Sequence, residues 1–311
     1  MVIPSLQLVV DGLATGSVYA IFALGYTLVF SILGIINFAH GALFAVGAYI
    51  TYALLGGRFG FNGILANWQL PIALPFAAAL ILSSLLCGLL GVAIEWGVFR
   101  PLRQQRADTL LTVVASLGVA VLLTNLIQYL VGAEVYTYPD QLYGALPLTL
   151  RLGELSLRSS QFVILSVSLV LMVALTYWVN YTRLGKALQA VAENPLAATL
   201  VGIDGDRIIT LTFFVSSALA AVAGTLVASS VSITGPQFGV TFGLKGLAVI
   251  VLGGLGSLPG TMLAGFLIGL IEAMIPAAAS GFRDAVAFGI LFLILLLRPQ
   301  GLLGRPPIEK V

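Results

Sequence analysis

This chain offers few residues with which to do chemistry. Its only histidine, His40, lies in I-N-F-A-H-G-A-L beside Asn37 and Gly41, and its only cysteine, Cys87, lies inside an apolar run. A multi-histidine or cysteine-cluster metal site therefore lacks a ligand set, and no intrachain disulfide can form. Cys87 reads as a small buried hydrophobe. Three acids, Asp11, Glu95 and Glu272, fall within or at the edge of apolar stretches. An ionised group is costly there and faces a bundle interior or water. Glu272 is the deepest and has two readings, a pathway residue or a partner in interhelical pairing. Glu95 stands near Arg100 and reads as half of an interfacial ion pair. Asn37 reads as a helix cap or as a pathway residue, and His40 as a hydrogen-bonded structural side chain or a transport residue.

The glycine run G-G-L-G-S-L-P-G, from Gly253 to Gly260, invites comparison with a phosphate-cradling loop. That pattern fails. The single Gly-Lys pair, Gly185-Lys186, is followed by Ala187, so G-x-x-x-x-G-K-[ST] is absent. A tight turn between two helices accounts for the run. The serines have no base near them in sequence, and no catalytic constellation can be assembled. The expectation is a protein that is not an enzyme and holds no cofactor or metal.

The elements that carry these residues are set by composition. Of 311 residues, 59% are hydrophobic and 8% charged, against about 25% charged in soluble proteins. The class is all-α, a polytopic transmembrane helix bundle forming a single domain over 1–311. Sustained period-two alternation, which a membrane barrel would need, is missing from the apolar runs. At roughly 20 residues per crossing, nine spans are expected near 6–31, 36–55, 71–98, 110–132, 160–181, 209–231, 244–257, 261–277 and 284–298. The second and seventh are short or glycine-broken, so the count is eight or nine with some spans broken or re-entrant. The first basic residue is Arg58, so there is no basic leader and the first helix is expected to be retained.

Basic residues collect on the cytoplasmic side of a bilayer. With the carboxyl terminus cytoplasmic, Arg100, Arg103, Arg106, Arg183, Lys186, Arg207, Arg298, Arg305 and Lys310 lie inside, and Arg58, Arg151, Arg158, Lys245 and Arg283 outside. The loop 133–159, with Glu134, Asp140, Glu154, two prolines and three tyrosines, then faces outward. It reads as a contact surface for an external partner or as a solvated loop. The net charge of +2 gives no reason to expect nucleic acid. Small residues at helix-packing spacing, Gly12 and Gly16, Gly239 and Gly243, Gly265 and Gly269, point to close helix crossings.

One stretch is built for water. Residues 183–207 carry Arg183, Lys186, Glu193, Asp204, Asp206 and Arg207 between nearly charge-free runs. Lys186 to Glu193 reads as a short helix with Ala187, Leu188 and Val191 on one face. Asn194-Pro195 then breaks it, with Asn194 as the cap and Pro195 as the first residue of a second short helix. Gly202 suits a left-handed helix end, and Asp204 or Asp206 the start of the next span. The shape is helix, corner, helix, lying along the inner face with apolar residues open to a partner. A basic lipid-surface helix fits less well, because three cations are offset by three acids.

The segment G-K-A-L-Q-A-V-A-E-N-P-L-A-A-T-L-V-G-I-D resembles the cytoplasmic coupling loop of permease subunits in the branched-chain amino-acid ABC importer family. The early I-I-N-F-A-H-G-A-L-F-A-V-G-A-Y, the run G-G-L-G-S-L-P-G and the terminal R-P-Q-G-L-L-G resemble the same family, so the likeness covers nearly the whole chain. It implies an inner-membrane, multi-pass permease that forms a pathway with a second, related permease. Two cytoplasmic ATPase subunits would use the ATP, and an extracytoplasmic binding protein would deliver a branched-chain or other neutral amino acid. Gly185, Lys186, Ala192, Glu193, Asn194, Pro195 and Gly202 would shape or make the ATPase contact. Asn37, His40 and Glu272 are the weaker pathway candidates. Other readings are an ABC permease for urea or short amides, and a self-sufficient secondary transporter or facilitator.

Overall fold

The computed structural model describes residues 6–139, 142–143, 149–152 and 155–304. The helices are α1 (Leu6–Leu33), α2 (Ala39–Leu54), α3 (Phe76–Ile94), α4 (Arg100–Gln104), α5 (Thr109–Val131), α6 (Ser159–Tyr181), α7 (Arg183–Glu193), α8 (Pro195–Leu200), α9 (Gly205–Ala228), α10 (Phe238–Gly253), α11 (Leu258–Met274) and α12 (Arg283–Leu297). A π turn over Glu95–Phe99 joins α3 to α4. Each of the nine predicted stretches holds a helix. Five helical runs, Leu6–Leu33, Phe76–Gln104, Thr109–Val131, Ser159–Tyr181 and Gly205–Ala228, are long and apolar enough to cross a membrane. The 16 residues of α2 and of α10 reach only about 24 Å, short of the roughly 30 Å hydrocarbon core.

Three boundaries differ from the sequence reading. Residues 71–75 are not helical. Two prolines fall there, and the preceding loop is held by Phe59 N–H donating to the Trp68 carbonyl at 3.0 Å and Leu65 N–H to the Leu130 carbonyl at 2.8 Å. The seventh helix begins at Phe238, not 244, which places Lys245 inside it. Part of the loop 133–159 is an antiparallel hairpin of β1 (Thr149–Leu152) and β2 (Leu155–Arg158), with Leu150 opposite Leu157 and Leu152 opposite Leu155. Leucines alternate with Thr149, Arg151, Ser156 and Arg158 in these two strands, the period of a strand. Asp140, Glu154, Arg305 and Lys310 lie outside the described residues.

The chain divides into two compact units. One comprises Met1–Thr27, Pro147–Thr176 and Leu244–Val311; the other comprises Leu28–Leu146 and Tyr177–Gly243. In the second unit α9 is the central helix, packed on α2 and α3. Twelve residues of α2 are buried, and its close approach to α9 depends on Gly224, where a Cβ would stand 2.0 Å from the Phe44 carbonyl oxygen. Thr51 Oγ1 lies 2.8 Å from Ser83 and 2.7 Å from Thr225, joining α2, α3 and α9 through hydroxyls rather than charge. At one end of α2, Tyr52, Phe59 and Tyr136 pack ring on ring, and Glu134 accepts from Phe61 N–H and Asn62 Nδ2. Burial raises the Tyr136 phenol above its ordinary value, and it stays neutral.

The first unit is organised by the crossing of α1 and α11. The predicted glycine pairs meet there: a Cβ on Gly16 would stand 2.8 Å from the Gly265 carbonyl oxygen, and one on Gly269 would stand 2.3 Å from the Gly16 Cα. Thr27 and Thr261 hydroxyls are 2.9 Å apart along the same seam. Asp11 accepts from Gln7 and Gln161. The run Gly253–Gly260 is the tight turn expected, with Ser257 capping α11 by accepting from Gly260 N–H. The chain after α12 seats on it: Leu302 N–H donates to the Leu252 carbonyl at 2.8 Å and Leu303 N–H to the Gly253 carbonyl at 3.1 Å. Gly254, at φ +100°, leaves no room for a side chain against Gly304. Two motifs 38 or more residues apart in sequence thus form one interlocked turn.

Candidate functional site

Residues 183–207 fold by short-range rules. Thr182 caps α7, its Oγ1 accepting from Gly185 N–H at 3.1 Å. Asn194 is extended, at φ −153° and ψ 99°, and both ends α7 and caps α8 through Ala197 N–H at 3.0 Å. Pro195 takes the first helical position, where its missing N–H costs nothing. Gly202 sits at φ +84° while its N–H bonds to the Thr199 carbonyl at 3.0 Å, a left-handed exit that favours glycine. Asp204, not Asp206, caps α9, accepting from Arg207 N–H.

The faces of this segment differ from the sequence reading. Leu188 and Val191 are buried within the unit, so the predicted apolar face of α7 holds the segment to its own chain. Most of the open apolar surface comes from α8 and its C-cap, where Leu196, Leu200 and Val201 are 76%, 83% and 76% exposed, beside the half-exposed Leu184 of α7. Gly185 is buried, and a Cβ there would stand 2.2 Å from the Trp178 carbonyl oxygen. It brings α7 against the end of α6. Lys186, Glu193, Asn194, Pro195 and Gly202 are exposed, and Ala192 is half-buried.

The exit of the segment is tied to α4 and, through Thr210, to the π turn before it. Asp206 pairs with Arg103 at 2.8 Å and Arg100 at 3.2 Å, and Arg103 pairs with Glu95 at 3.0 Å. Thr210 Oγ1 also donates to Glu95 at 3.0 Å. Glu95 is fully buried, so the expected rim pair with Arg100 is corrected to a buried pair with Arg103. The π turn that starts at Glu95 sits in the stretch between the two. Arg103 holds a buried acid and a half-exposed one together through a single nitrogen, Nη2. The start of α9, which follows the segment, is thereby tied by charge to the run Glu95–Gln104.

Of the pathway candidates, Asn37 and His40 come together in one unit. Asn37 Oδ1 accepts from Ala39 N–H at 3.1 Å, satisfying a donor of the first turn of α2. His40 Nδ1 lies 3.3 Å from Ser216 Oγ, at the middle of α9. This places the start of α2 beside mid-helix residues, as an interrupted segment at membrane depth requires. Glu272, in the other unit, is paired between helices: its Oε1 lies 3.0 Å from Lys245 Nζ, and Tyr19 OH donates to its Oε2 at 2.7 Å. Lys245 was expected as an external flanking charge. It is instead a buried partner, together with Asp284 at 2.8 Å. Among the described residues no group of three or more His, Cys, Asp or Glu is placed to hold a metal.

Five helical runs long and apolar enough to cross a membrane, with shorter apolar helices between them, define the class of a multi-pass membrane protein. Residues 8–296 match the family described as branched-chain amino acid transport system, permease component, and the chain belongs to that family. It is 36% identical over 308 residues to the high-affinity branched-chain amino acid transport system permease protein LivH of Salmonella typhimurium, covering 98% of this chain and 97% of that protein. It is 37% identical to BraD of Pseudomonas aeruginosa, covering 98% of each. LivM of Escherichia coli, a permease protein of the same type of system, is 28% identical over 94% of this chain and 69% of its own length. No solved structure matches.

Proposed function

We propose that this chain is a permease subunit of an ATP-binding-cassette importer for branched-chain amino acids, paired with a second, related permease. Relatives named as branched-chain amino acid permeases support the substrate class, and the likeness to both LivH and LivM supports a partner of the same family. Two separate ATPase subunits dock on residues 183–207, and an external binding protein delivers the substrate. The carboxyl terminus and this segment lie on the cytoplasmic side of the inner membrane. The subunit carries no ATP site or cofactor of its own and is not an enzyme.

One observation carries the docking assignment. Leu196 and Leu200 on α8 and Val201 just after it stand open, while the caps of the segment, the buried side of α7 and the ion pairs of Asp206 on α9 are committed to its own chain. Exposed apolar side chains on a rigidly held element mark an interaction site. Leu200→Glu with Val201→Glu is expected to abolish co-purification of the ATPase subunits and ATP-driven uptake, with membrane insertion retained. Glu193→Ala with Asn194→Ala is expected to weaken both. Wild-type uptake and co-purification in these variants would overturn the assignment.

A further inference from the structure

The buried charges of the first unit form a set that packing alone does not require. Lys245 Nζ lies between two carboxylates, Glu272 at 3.0 Å and Asp284 at 2.8 Å, and donates to Tyr19 OH at 3.2 Å. Glu272 is buried, with a side chain 6% exposed, whereas Asp284 is 51% exposed. Arg283, next in sequence to Asp284, donates through Nη2 to the Ile275 carbonyl, while its buried Nε has no hydrogen-bond partner. Lys245 of α10 thus joins an acid of α11 to an acid of α12, and a second cation, Arg283, stands where α12 begins, bonded to the end of α11. An apolar pair of similar volume would hold helices together at least as well, and ionisable groups at such positions serve function by default.

The arrangement has one exchangeable member and one spare donor. A clasp between α10 and α11 needs only Lys245 and Glu272. Asp284 is a second acid on the same ammonium, open on its outer side. We propose that Arg283, Asp284, Lys245 and Glu272 form a receiving site for an amino-acid zwitterion; this rests on the amino-acid importer reading above. The substrate carboxylate displaces Asp284 from Lys245 and accepts from Arg283 Nε–H, and its ammonium takes the released Asp284. No bond is made or broken, and each charge that enters finds a fixed opposite. The inserted order, lysine, carboxylate, ammonium, aspartate, leaves no buried charge uncompensated. Phe288, one helical turn beyond Asp284 on the same face and exposed, supplies an apolar wall for a branched side chain. A neutral amide or urea brings no charges to exchange. In the orientation proposed, the junction of α11 and α12 faces outward, where a delivering protein would release its cargo.

The test uses the whole assembly, with its second permease, ATPases and binding protein, in proteoliposomes supplied with labelled leucine. Asp284→Asn leaves the Lys245–Glu272 pair in place; it is expected to raise KM about ten-fold, the loss of one charged hydrogen bond, with subunit co-purification unchanged. Arg283→Gln is expected to shift KM in the same direction. Lys245→Met with Glu272→Gln removes a matched pair, so the assembly forms and leucine uptake is lost; a clasp alone predicts uptake retained. Wild-type KM in Asp284→Asn and Arg283→Gln overturns the site, including where the double variant does not assemble. A wild-type assembly that carries urea or acetamide but not leucine overturns the importer reading itself.

Discussion

Two carboxylates are buried among the described residues of this chain, and they are neutralised in different ways. Glu95 shares a guanidinium with Asp206 and accepts a hydroxyl from Thr210, within reach of the water-facing segment. Glu272 faces an ammonium and a phenol from other helices. Arg103 is 25% exposed and Lys245 10%. The Arg103 guanidinium holds both acids through one nitrogen, Nη2, which suits a joint that ties two elements together. A lysine is a compact charge that can change partners, which suits a site that exchanges them.

The largest effect expected from this contrast is on stability. Lys245→Met strands Glu272 beside Asp284 and is expected to cost about 3–5 kcal/mol, seen as a lowered Tm in detergent. Lys245→Met with Glu272→Gln recovers most of it. Arg103→Met is expected to cost only about 2 kcal/mol, because Glu95 keeps the Thr210 hydroxyl and the site is nearer water. Its larger consequence is on coupling: ATP hydrolysis persists while uptake falls. Equal losses in the two single variants would remove the distinction.

What the sequence could reveal follows the same divide between short and long range. The corner of residues 183–207 was legible because caps act within three residues, Asn194 on Ala197 and Asp204 on Arg207, whereas the start of α7 was placed at Lys186, three residues late, because the Thr182 cap on Gly185 was not read. The glycine pairs on α1 and α11 were visible as spacings, although nothing local says that they meet each other. The partners of Glu95 and Glu272 were not legible, because packing chose Arg103 over Arg100 and brought in a lysine 27 residues away. Lys245 was misread because Gly239, Thr241 and Gly243 thin the apolar signal over the first turns of α10. The open face of the segment was misplaced for a related reason: periodicity finds the apolar side of α7, and only tertiary contact shows that side to be consumed.

A middle-sized effect separates shape from contact in that segment. Asn194→Ala removes the cap of α8 and is expected to cost about 1 kcal/mol, with faster amide exchange confined to residues 195–203. Gly202→Ala imposes a left-handed conformation on a side chain and is expected to cost a similar amount, about 1 kcal/mol. Neither touches Leu196, Leu200 or Val201, so each is expected to weaken ATPase docking modestly and uptake in proportion. Abolished docking in either variant would mean that the cap residues themselves form the contact.

The smallest effect concerns Arg207, which shares the segment's exit with Asp206. Its Nε lies 2.8 Å from Asp204, but the two side chains are 87% and 51% exposed. Water screens such a pair, and long side chains lose freedom in holding it, so its worth is at most about 0.5 kcal/mol. The Asp204 cap on α9 needs only the Arg207 backbone and survives Arg207→Ala. The variant is therefore expected to match the wild type in Tm and in coupling, whereas Asp206→Asn, one residue away, loosens Arg103 and lowers uptake. A coupling defect in Arg207→Ala as large as that of Asp206→Asn would show that transmission runs through the surface charge of the segment rather than through the Arg103 pairs.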